Sequence, residues 1–258
     1  MNTRLQPIIK NVLNLKTFSP SKEVDAVMSA LVNGVVETPS MLIAGSVTAK
    51  QKSKVRHISA RTESELEKYW ADRIVNSTKP LRTLSTFPYL DNYEELTVRE
   101  VDLLAKTGLV LSKNHKALII GSGPLPLSAY ELYCRTGVRV DHVDSSRQAI
   151  GLCQSFMKQL GIVSKYYHSV GEMVELEGDY DLILIAALAG DTAMDKQKII
   201  NRVLPHLSNN GRIILRSARG SRTLLYPAIK SNDIQGVHLL EEYHPTDYII
   251  NSVFVYGK

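Results

Sequence analysis

The feature that most constrains the fold of this chain is an apolar segment that runs into a glycine- and proline-rich turn, ALIIGSGPLPL at residues 117–127. The apolar run predicts a buried strand, and Gly121-Ser122-Gly123 predicts a tight turn. Pro124 and Pro126 fit the first turn of a helix, where amide hydrogens have no helical partner. Glycines let backbone pass close to a ligand, and a helix N-terminus offers amide hydrogens to it. The segment therefore predicts a nucleotide-binding turn.

Strand-to-helix turns often carry glycines without binding a nucleotide, so the turn needs support from the residues that follow. A second predicted strand, Val138 to Val143, ends at Asp144, 21 residues after Gly123. That offset is close to the ~20 residues expected for a ribose-binding carboxylate. The alternative role for Asp144 is the N-cap of the next helix, and both roles are compatible. Pro126 replaces the third glycine of the dinucleotide pattern, which favours a mononucleoside ligand such as S-adenosylmethionine.

The chain before this turn is helical in pattern. Apolar residues recur at helical spacing from Ser21 to Val36, and Thr62/Glu65 and Thr97/Glu100 have the spacing of capping boxes that begin two further helices. We expect a helical N-terminal domain at residues 1–112 and a Rossmann-like domain at residues 113–258, with a cleft between them.

After the turn, strands and helices alternate. Helices are predicted from Ser128, Arg147 and Asp195, and strands include Val163 to His168, Asp181 to Leu188 and Arg212 to Ser217, the last after a turn at Asn209 to Gly211. The C-terminal strands, Val237 to Tyr243 and Ser252 to Tyr256, are expected to form an antiparallel pair. This order predicts an α/β fold with a mostly parallel, doubly wound sheet, whose ligands bind beyond the carboxyl ends of the strands.

Composition excludes several classes. The net charge of +5 and pI near 9.1 come from scattered lysines and arginines, which indicates a solvated basic surface rather than a nucleic-acid site. Cys134 and Cys153 form no C-x-x-C pair, so packed thiols in a reducing compartment are expected. The sequence shows no signal-peptide pattern and no membrane span, which predicts a cytoplasmic protein. The seven histidines lack ligand spacing, so no bound metal is expected.

Three segments carry a specific resemblance: GSGPLPL after an apolar strand, the preceding F-P-Y…N-Y at residues 87–93, and AALA at residues 186–189. Together they resemble the nicotianamine synthase family, and within it the bacterial branch that makes histidine-based opine metallophores for metal acquisition. The similarity covers most of the chain from about Glu63 onward. It implies a helical bundle joined to a class I methyltransferase-like Rossmann domain.

The resemblance also implies a reaction, in which the 3-amino-3-carboxypropyl (aminobutanoyl) group of S-adenosylmethionine passes to an amine and 5′-methylthioadenosine is released. In the bacterial branch the amine belongs to D- or L-histidine, and an opine dehydrogenase acts on the product. The family further implies a homodimer.

The resemblance places the family's catalytic glutamate at Glu67 and its tyrosine at Tyr93. The implied cofactor-binding positions are Gly121, Ser122, Gly123, Pro124, Leu125, Asp144, Ser145, Gly171, Ala187 and Leu188, and the implied substrate-binding positions are Tyr89, Arg216 and Asn251, with Ser252 beside them. One departure concerns Gly171, where the archaeal relative has an acidic residue. Adenine recognition is therefore left to backbone groups and Glu172.

A sulfonium activates all three attached carbons, so the protein selects the product by choosing which carbon faces the nucleophile. The attacking amine must be neutral, and we assign Glu67 as its base because a partly apolar setting raises a carboxyl pKa. Tyr93 is the expected hydrogen-bonding partner of Glu67. The structural alternatives are an edge-of-core carboxylate for Glu67 and an aromatic core residue for Tyr93.

Three other functions remain open. A nicotianamine synthase proper would repeat the transfer on its own intermediate, a methyltransferase would need only the Rossmann half, and a third possibility is a catalytically inactive S-adenosylmethionine-binding module. Ordinary methyltransferases have an acid just before the glycines where this chain has Ile119 and Ile120, which argues against plain methyl transfer.

Overall fold

The computed structural model describes residues 5–38 and 47–258, in which five helices precede the first strand. These helices are α1 (Leu5–Leu13), α2 (Lys22–Glu37), α3 (Ala49–Val75), α4 (Pro80–Leu84) and α5 (Leu90–Lys106). The predicted start of α2 is confirmed, because Ser21 is its N-cap and its hydroxyl accepts a hydrogen bond from the Val24 amide at 3.2 Å.

The strand and helix alternation then begins. Its elements are β1 (Lys116–Ile120), α6 (Leu127–Thr136), β2 (Arg139–Asp144), α7 (Arg147–Gln159), β3 (Tyr166–His168), β4 (Tyr180–Ile185), α8 (Ala193–Val203), β5 (Leu207–Ser217), β6 (His238–Tyr243) and β7 (Ser252–Gly257). Short 3₁₀ turns occur at Gly171–Met173, Leu204–His206, Gly220–Leu224 and Ser231–Asp233.

The seven strands form one sheet in the order β3-β2-β1-β4-β5-β7-β6. The first five are parallel, and β7 runs antiparallel to both β5 and β6. The chain moves outward from β1 to β3 and then returns to place β4 on the other side of β1. The carboxyl ends of β1 and β4 therefore form a topological switch point, where such sheets bind ligands. The predicted α/β fold with a mostly parallel, doubly wound sheet is confirmed.

Successive side chains of β1 pack into two apolar clusters, one on each face of the sheet. Ile119 packs in a cluster with Trp70 of α3, Leu104 of α5 and Leu184 of β4, so the N-terminal helices and the sheet share one apolar interior. Leu118 faces the opposite side, in the cluster that contains residues of α8. Complete burial of one such aliphatic side chain stabilises the fold by roughly 1.5–3 kcal/mol.

Both predicted capping boxes are wrong. Helix α3 begins at Ala49, with Thr48 as its N-cap in a capping box with Gln51, and continues unbroken through Thr62. The Thr62 hydroxyl instead donates to the carbonyls of Ile58 and Ser59 within the helix. Thr97 likewise lies inside α5. As a result, α3 is a continuous 27-residue helix.

Several predicted boundaries also differ. Strand β3 begins at Tyr166 rather than Val163, and helix α8 begins at Ala193 rather than Asp195. Helix α6 begins at Leu127 with Pro126 as its N-cap, so both prolines precede the helix rather than forming its first turn. The segment Asn209 to Gly211 is not a turn but lies within β5, where the pairing with β4 shifts register. Strand β4 ends at Ile185, which leaves AALA in the loop beyond it. Among the described residues, no helix has both the length and the apolarity needed to cross a membrane.

Candidate functional site

A cavity of about 610 Å³ opens at the carboxyl ends of β1, β2 and β4 and is covered by α2, α3 and α5. Its volume is in the range of small-molecule sites. It is lined by every site residue that the resemblance implies, namely Glu67, Tyr89, Tyr93, Gly121, Ser122, Gly123, Pro124, Leu125, Asp144, Ser145, Gly171, Ala187, Leu188, Arg216 and Asn251. Ser252 is buried beside it, with its hydroxyl 2.8 Å from His244 Nδ1.

The amides of the glycine turn are already used. Those of Gly121 and Ser122 donate to the Val143 carbonyl, and that of Gly123 donates to Asp144 Oδ2 at 2.9 Å. The Leu127 amide donates to the Leu125 carbonyl, and the prolines have no N–H. The expectation that the helix start offers free amide hydrogens is therefore wrong at these positions. Such a turn is poorly suited to a phosphate and compatible with a cation.

Asp144 fixes this turn and still faces the cavity. Its Oδ2 accepts from the Gly123 amide, and its Oδ1 accepts from the Ser146 amide at 2.8 Å. The N-cap of α7 is Ser146, whose hydroxyl accepts from Ala149, so the N-cap alternative for Asp144 is wrong. A carboxylate oxygen can accept more than one hydrogen bond, so Asp144 retains capacity for hydroxyl groups of a ligand.

Glu67 and Tyr93 meet directly above the glycine turn. The Tyr93 hydroxyl donates to Glu67 Oε1 at 3.0 Å. A Cβ added to Gly123 would lie 2.7 Å from Glu67 Oε2, and Gly123 has a φ of +68°, a conformation that favours glycine. The structure thus brings a carboxylate of the helical layer into contact range of the predicted cofactor turn.

The setting of Glu67 makes its carboxyl group a proton acceptor of raised basicity. Burial raises the pKa of Glu67 well above its ordinary value, the negative charges of Glu63 and Asp144 raise it further, and the hydrogen bond from Tyr93 lowers it. Burial also raises the pKa of Tyr93. The phenol therefore stays protonated and acts as a donor near neutral pH.

A second carboxylate–tyrosine pair lies one helical turn away and was missed by the sequence analysis. The Tyr226 hydroxyl donates to Glu63 Oε1 at 2.9 Å, across 163 residues of sequence. Burial raises the pKa of Glu63 to about 7, although the hydrogen bond from Tyr226 and the positive charge of Arg216 each lower that pKa. The i, i+4 spacing of Glu63 and Glu67 on one helix could have indicated that both carboxylates face the same site. No sequence pattern indicates that Tyr226 would join them.

Arg216 lines the cavity and forms a buried ion pair with Glu100 of α5. Its Nε and Nη2 donate to Glu100 Oε1 and Oε2 at 2.7 and 2.8 Å. Glu100 is fully buried. The pair joins α5 to β5 and fixes the guanidinium orientation. Glu100 thus lies inside α5 and pairs with Arg216, rather than in the capping box that its spacing from Thr97 predicts.

The opposite wall is formed by Gly171 and the loop after β4. A Cβ on Gly171 would lie 2.6 Å from Ile120 Cγ2 and 3.2 Å from Ile199 Cγ1, so this chain has no room there for an acidic side chain. The loop is fixed by the buried Lys196, whose Nζ donates to the carbonyls of Ala186 and Ala187 at 2.5 and 3.1 Å. Lys196 is a further site-supporting residue that the sequence analysis missed.

Among the charged side chains that line the cavity, acidic groups predominate. The charged described residues around the cavity are Asp25, Glu63, Glu67, Asp144, Glu172, Asp195 and Arg216. Arg216 is paired with Glu100, so the field in the cavity favours a cationic ligand. Within residues 5–38 and 47–258, no group of three or more His, Cys, Asp or Glu residues is arranged to hold a metal ion.

Comparisons with known proteins agree on one family. The profile described as nicotianamine synthase protein matches residues 3–258. The nicotianamine synthase of Solanum lycopersicum is 30% identical over 97% of this chain and 81% of its own length. Nicotianamine synthase 2 of Oryza sativa subsp. japonica is 30% identical over 96% of this chain and 79% of its own length.

Solved structures agree on the fold. MtNAS in complex with MTA and tNA superposes with a TM-score of 0.81 at 21% identity, covering 98% of this chain and 96% of MtNAS. A mutant of MtNAS in complex with S-adenosylmethionine gives the same TM-score and covers 99% of this chain and 96% of that one. An S-adenosylmethionine-dependent methyltransferase from Clostridium acetobutylicum gives 0.50 at 12% identity over 69% of this chain and 94% of its own. This last similarity covers only part of the chain.

Proposed function

The chain belongs to the nicotianamine synthase family, and on that premise we propose that it transfers the aminobutanoyl group of S-adenosylmethionine to an amine, releasing 5′-methylthioadenosine. The observation that carries the proposal is the Glu67–Tyr93 pair, which lies against Gly123 of the glycine turn in an acidic cavity. A plain methyltransferase fold has no need of this pair.

The cavity fits S-adenosylmethionine as co-substrate. The turn at Gly121 to Gly123 leaves space for close approach, Asp144 has capacity for ribose hydroxyls, and the wall at Gly171, Ala187 and Leu188 would bound the adenine. The acidic lining suits a sulfonium. The complexes of MtNAS with S-adenosylmethionine and with MTA support this assignment.

The residues of the cavity would then work on the acceptor. The amine nitrogen forms a bond to the aminobutanoyl carbon next to sulfur, that carbon–sulfur bond breaks, and its electron pair stays on the sulfur of methylthioadenosine. The proton lost by the attacking amine passes to Glu67 Oε, for which the raised pKa of Glu67 is appropriate. Tyr93 holds the carboxylate in place. Tyr89, Asn251 and Arg216, oriented by Glu100, would hold the acceptor.

For the acceptor we propose histidine in a single transfer, as the resemblance to the bacterial opine-metallophore branch implies. The product would pass to an opine dehydrogenase, and we expect a cytoplasmic homodimer with domains at residues 1–112 and 113–258. The second candidate is repeated transfer by a nicotianamine synthase proper, which the names of the plant relatives favour.

The test is mass spectrometry of the purified protein with S-adenosylmethionine and, separately, L-histidine, D-histidine or no acceptor. The proposal expects methylthioadenosine and a product heavier than histidine by one aminobutanoyl group. A self-condensed product without histidine would establish the second candidate, and S-adenosylhomocysteine would contradict both.

A matched variant tests the catalytic assignment. Glu67→Gln should retain S-adenosylmethionine binding and lose about 10²–10⁴-fold in turnover, the usual contribution of a general base. Near-normal rates in both Glu67→Gln and Tyr93→Phe would show the assignment to be wrong.

A further inference from the structure

The pair formed by Glu63 and Tyr226 has no part in the transfer step proposed above, yet it lines the same cavity. Glu63 and Glu67 are four residues apart on α3, so their side chains share one helix face, with Cβ atoms about 5–6 Å apart. Each accepts a hydrogen bond from a tyrosine outside α3, Glu67 from Tyr93 of α5 and Glu63 from Tyr226, which follows the 3₁₀ turn at Gly220–Leu224. An acceptor whose reacting amine lies at Glu67 therefore presents its remaining groups within reach of Glu63.

Glu63 is suited to accept a hydrogen bond from a ligand. Its Oε1 is occupied by the Tyr226 hydroxyl, and a carboxylate has further lone pairs on both oxygens. Burial raises the pKa of Tyr226, so its phenol stays protonated and donates the hydrogen bond to Glu63. Tyr226 therefore carries no negative charge that could bind a cationic substrate, and Glu63 is the hydrogen-bond acceptor of this pair. An acceptor with an apolar side chain would remove water from this carboxylate without replacing the hydrogen bonds, which is unfavourable.

We propose that Glu63, held by Tyr226, selects the acceptor by binding a second nitrogen donor, an imidazole N–H or an ammonium group, while the reacting amine lies at Glu67. The inference rests on the proposed transfer and names its acceptor class. That class is amino acids with a nitrogen-bearing side chain, such as histidine or 2,4-diaminobutanoate, rather than amino acids with an apolar chain, such as norvaline.

The experiment compares kcat/KM for histidine and norvaline in the wild type, Glu63→Gln and Glu65→Gln. The wild type should prefer histidine. Glu63→Gln should lower the ratio of kcat/KM for histidine to kcat/KM for norvaline by about tenfold or more, mainly by raising the KM for histidine. Any effect of Glu63 on the basicity of Glu67 alters both acceptors alike and cancels in the ratio. Glu65 is the matched control, because it lies on α3, bonds Lys68 at 2.9 Å and does not line the cavity. A ratio in Glu63→Gln equal to that of the wild type overturns the inference.

Two further variants cover the case in which Glu63→Gln does not fold. Glu63→Asp, which retains the carboxylate, should keep part of the preference, and Tyr226→Phe, which removes its orienting donor, should lose part of it. An unchanged preference in Tyr226→Phe together with a lost preference in Glu63→Asp would contradict the proposed arrangement.

If the wild type transfers no aminobutanoyl group to any acceptor, the proposed function fails, and calorimetric titration decides the inference on its own. Histidine should then bind the wild type more tightly than norvaline, and Glu63→Gln should abolish the difference. Equal binding of both amino acids by the wild type, or a difference that survives in Glu63→Gln, overturns it.

Discussion

Glu67 is subject to opposite influences from two neighbouring side chains. The carboxylate of Glu63 raises its pKa by repulsion, and the hydroxyl of Tyr93 lowers it by donating a hydrogen bond. Burial is the largest cause of the raised pKa of Glu67, and it stays the same when Glu63 or Tyr93 is substituted. The two neighbours can therefore be separated by the direction in which each moves the protonation of Glu67.

The proposed base must be deprotonated, so kcat/KM of the wild type should rise with pH as Glu67 loses its proton, at a pH above the ordinary carboxyl range. Tyr93→Phe removes the stabilising hydrogen bond and should move this rise to higher pH. Glu63→Gln removes a negative charge and should move it to lower pH. Measured pH–rate profiles check both, with Glu65→Gln as the control. Shifts in the same direction for both variants would contradict this account.

At the scale of single elements, the 3₁₀ turn at Gly171–Met173 is positioned by contact with β1 and α8. Gly171→Ala would place a methyl group 2.6 Å from Ile120 Cγ2 and 3.2 Å from Ile199 Cγ1. We expect a loss of about 1–3 kcal/mol in the free energy of unfolding and weaker S-adenosylmethionine binding, because overpacking displaces the cavity wall. Urea denaturation and calorimetry measure the two effects.

Gly151 supplies the control for this change. It lies in α7, and nothing stands within 4 Å of an added Cβ. Gly151→Ala should therefore be neutral or stabilise by about 0.5–1 kcal/mol. Equal effects of the two glycine substitutions would rule out the steric explanation for Gly171.

Lys196 of α8 holds the loop after β4 through a buried amine. Burial lowers the pKa of Lys196 to about 7, whereas the pKa of a lysine in an unfolded chain is about 10.4. Between these values the unfolded state binds more protons, so the free energy of unfolding should rise with pH. From about pH 7 to about pH 9 the gain should reach up to roughly 2 kcal/mol.

Urea denaturation at both pH values checks this, with Lys196→Met removing the gain and Lys198→Met, an exposed lysine of the same helix, retaining it. Equal pH dependence in the wild type and Lys196→Met would show that Lys196 does not titrate in this range.

How far the sequence predicted these elements depended on whether the signal was local. The strand before Gly121, the start of α2 at Ser21 and the antiparallel C-terminal strands follow from adjacent residues, and each is present. The box pattern at Thr62 and Glu65 is equally local, but it caps a helix only where the chain before it is not helical, and α3 is already helical from Ala49.

The candidate site shows the same limit. Glu67 and Tyr93 follow from the family resemblance, and the predicted cofactor turn from its glycines; in both cases the signal lies within short segments. Tyr226 meets Glu63 over 163 residues, and Arg216 meets Glu100 over 116. Contacts of this length depend on the packing of helices against the sheet, which no local pattern encodes. This is why the second carboxylate–tyrosine pair appears only in the folded chain.

At the scale of the whole molecule, the helical part and the sheet are joined by both apolar and ionic contacts. Trp70 and Leu104 share a buried cluster with Ile119 and Leu184 of the central strands. The ion pair of Glu100 and Arg216 crosses the same boundary. Loss of one partner from a buried pair typically costs about 3–5 kcal/mol, because the remaining charge stays buried without compensation.

We therefore expect the two parts to unfold together, although the sequence predicts separate domains at residues 1–112 and 113–258. The chain has a single tryptophan, Trp70 of α3, so its fluorescence reports the helical side of the shared core, whereas far-ultraviolet circular dichroism reports all helices and strands. Their urea transitions should coincide in the wild type. In Glu100→Leu both should move to lower urea together, and the double variant Glu100→Leu/Arg216→Met should recover much of the loss, since it leaves no unpaired charge. A fluorescence transition that precedes the other would show that the helical part unfolds independently, and the cavity between them would then depend on a weaker interface than the shared core indicates.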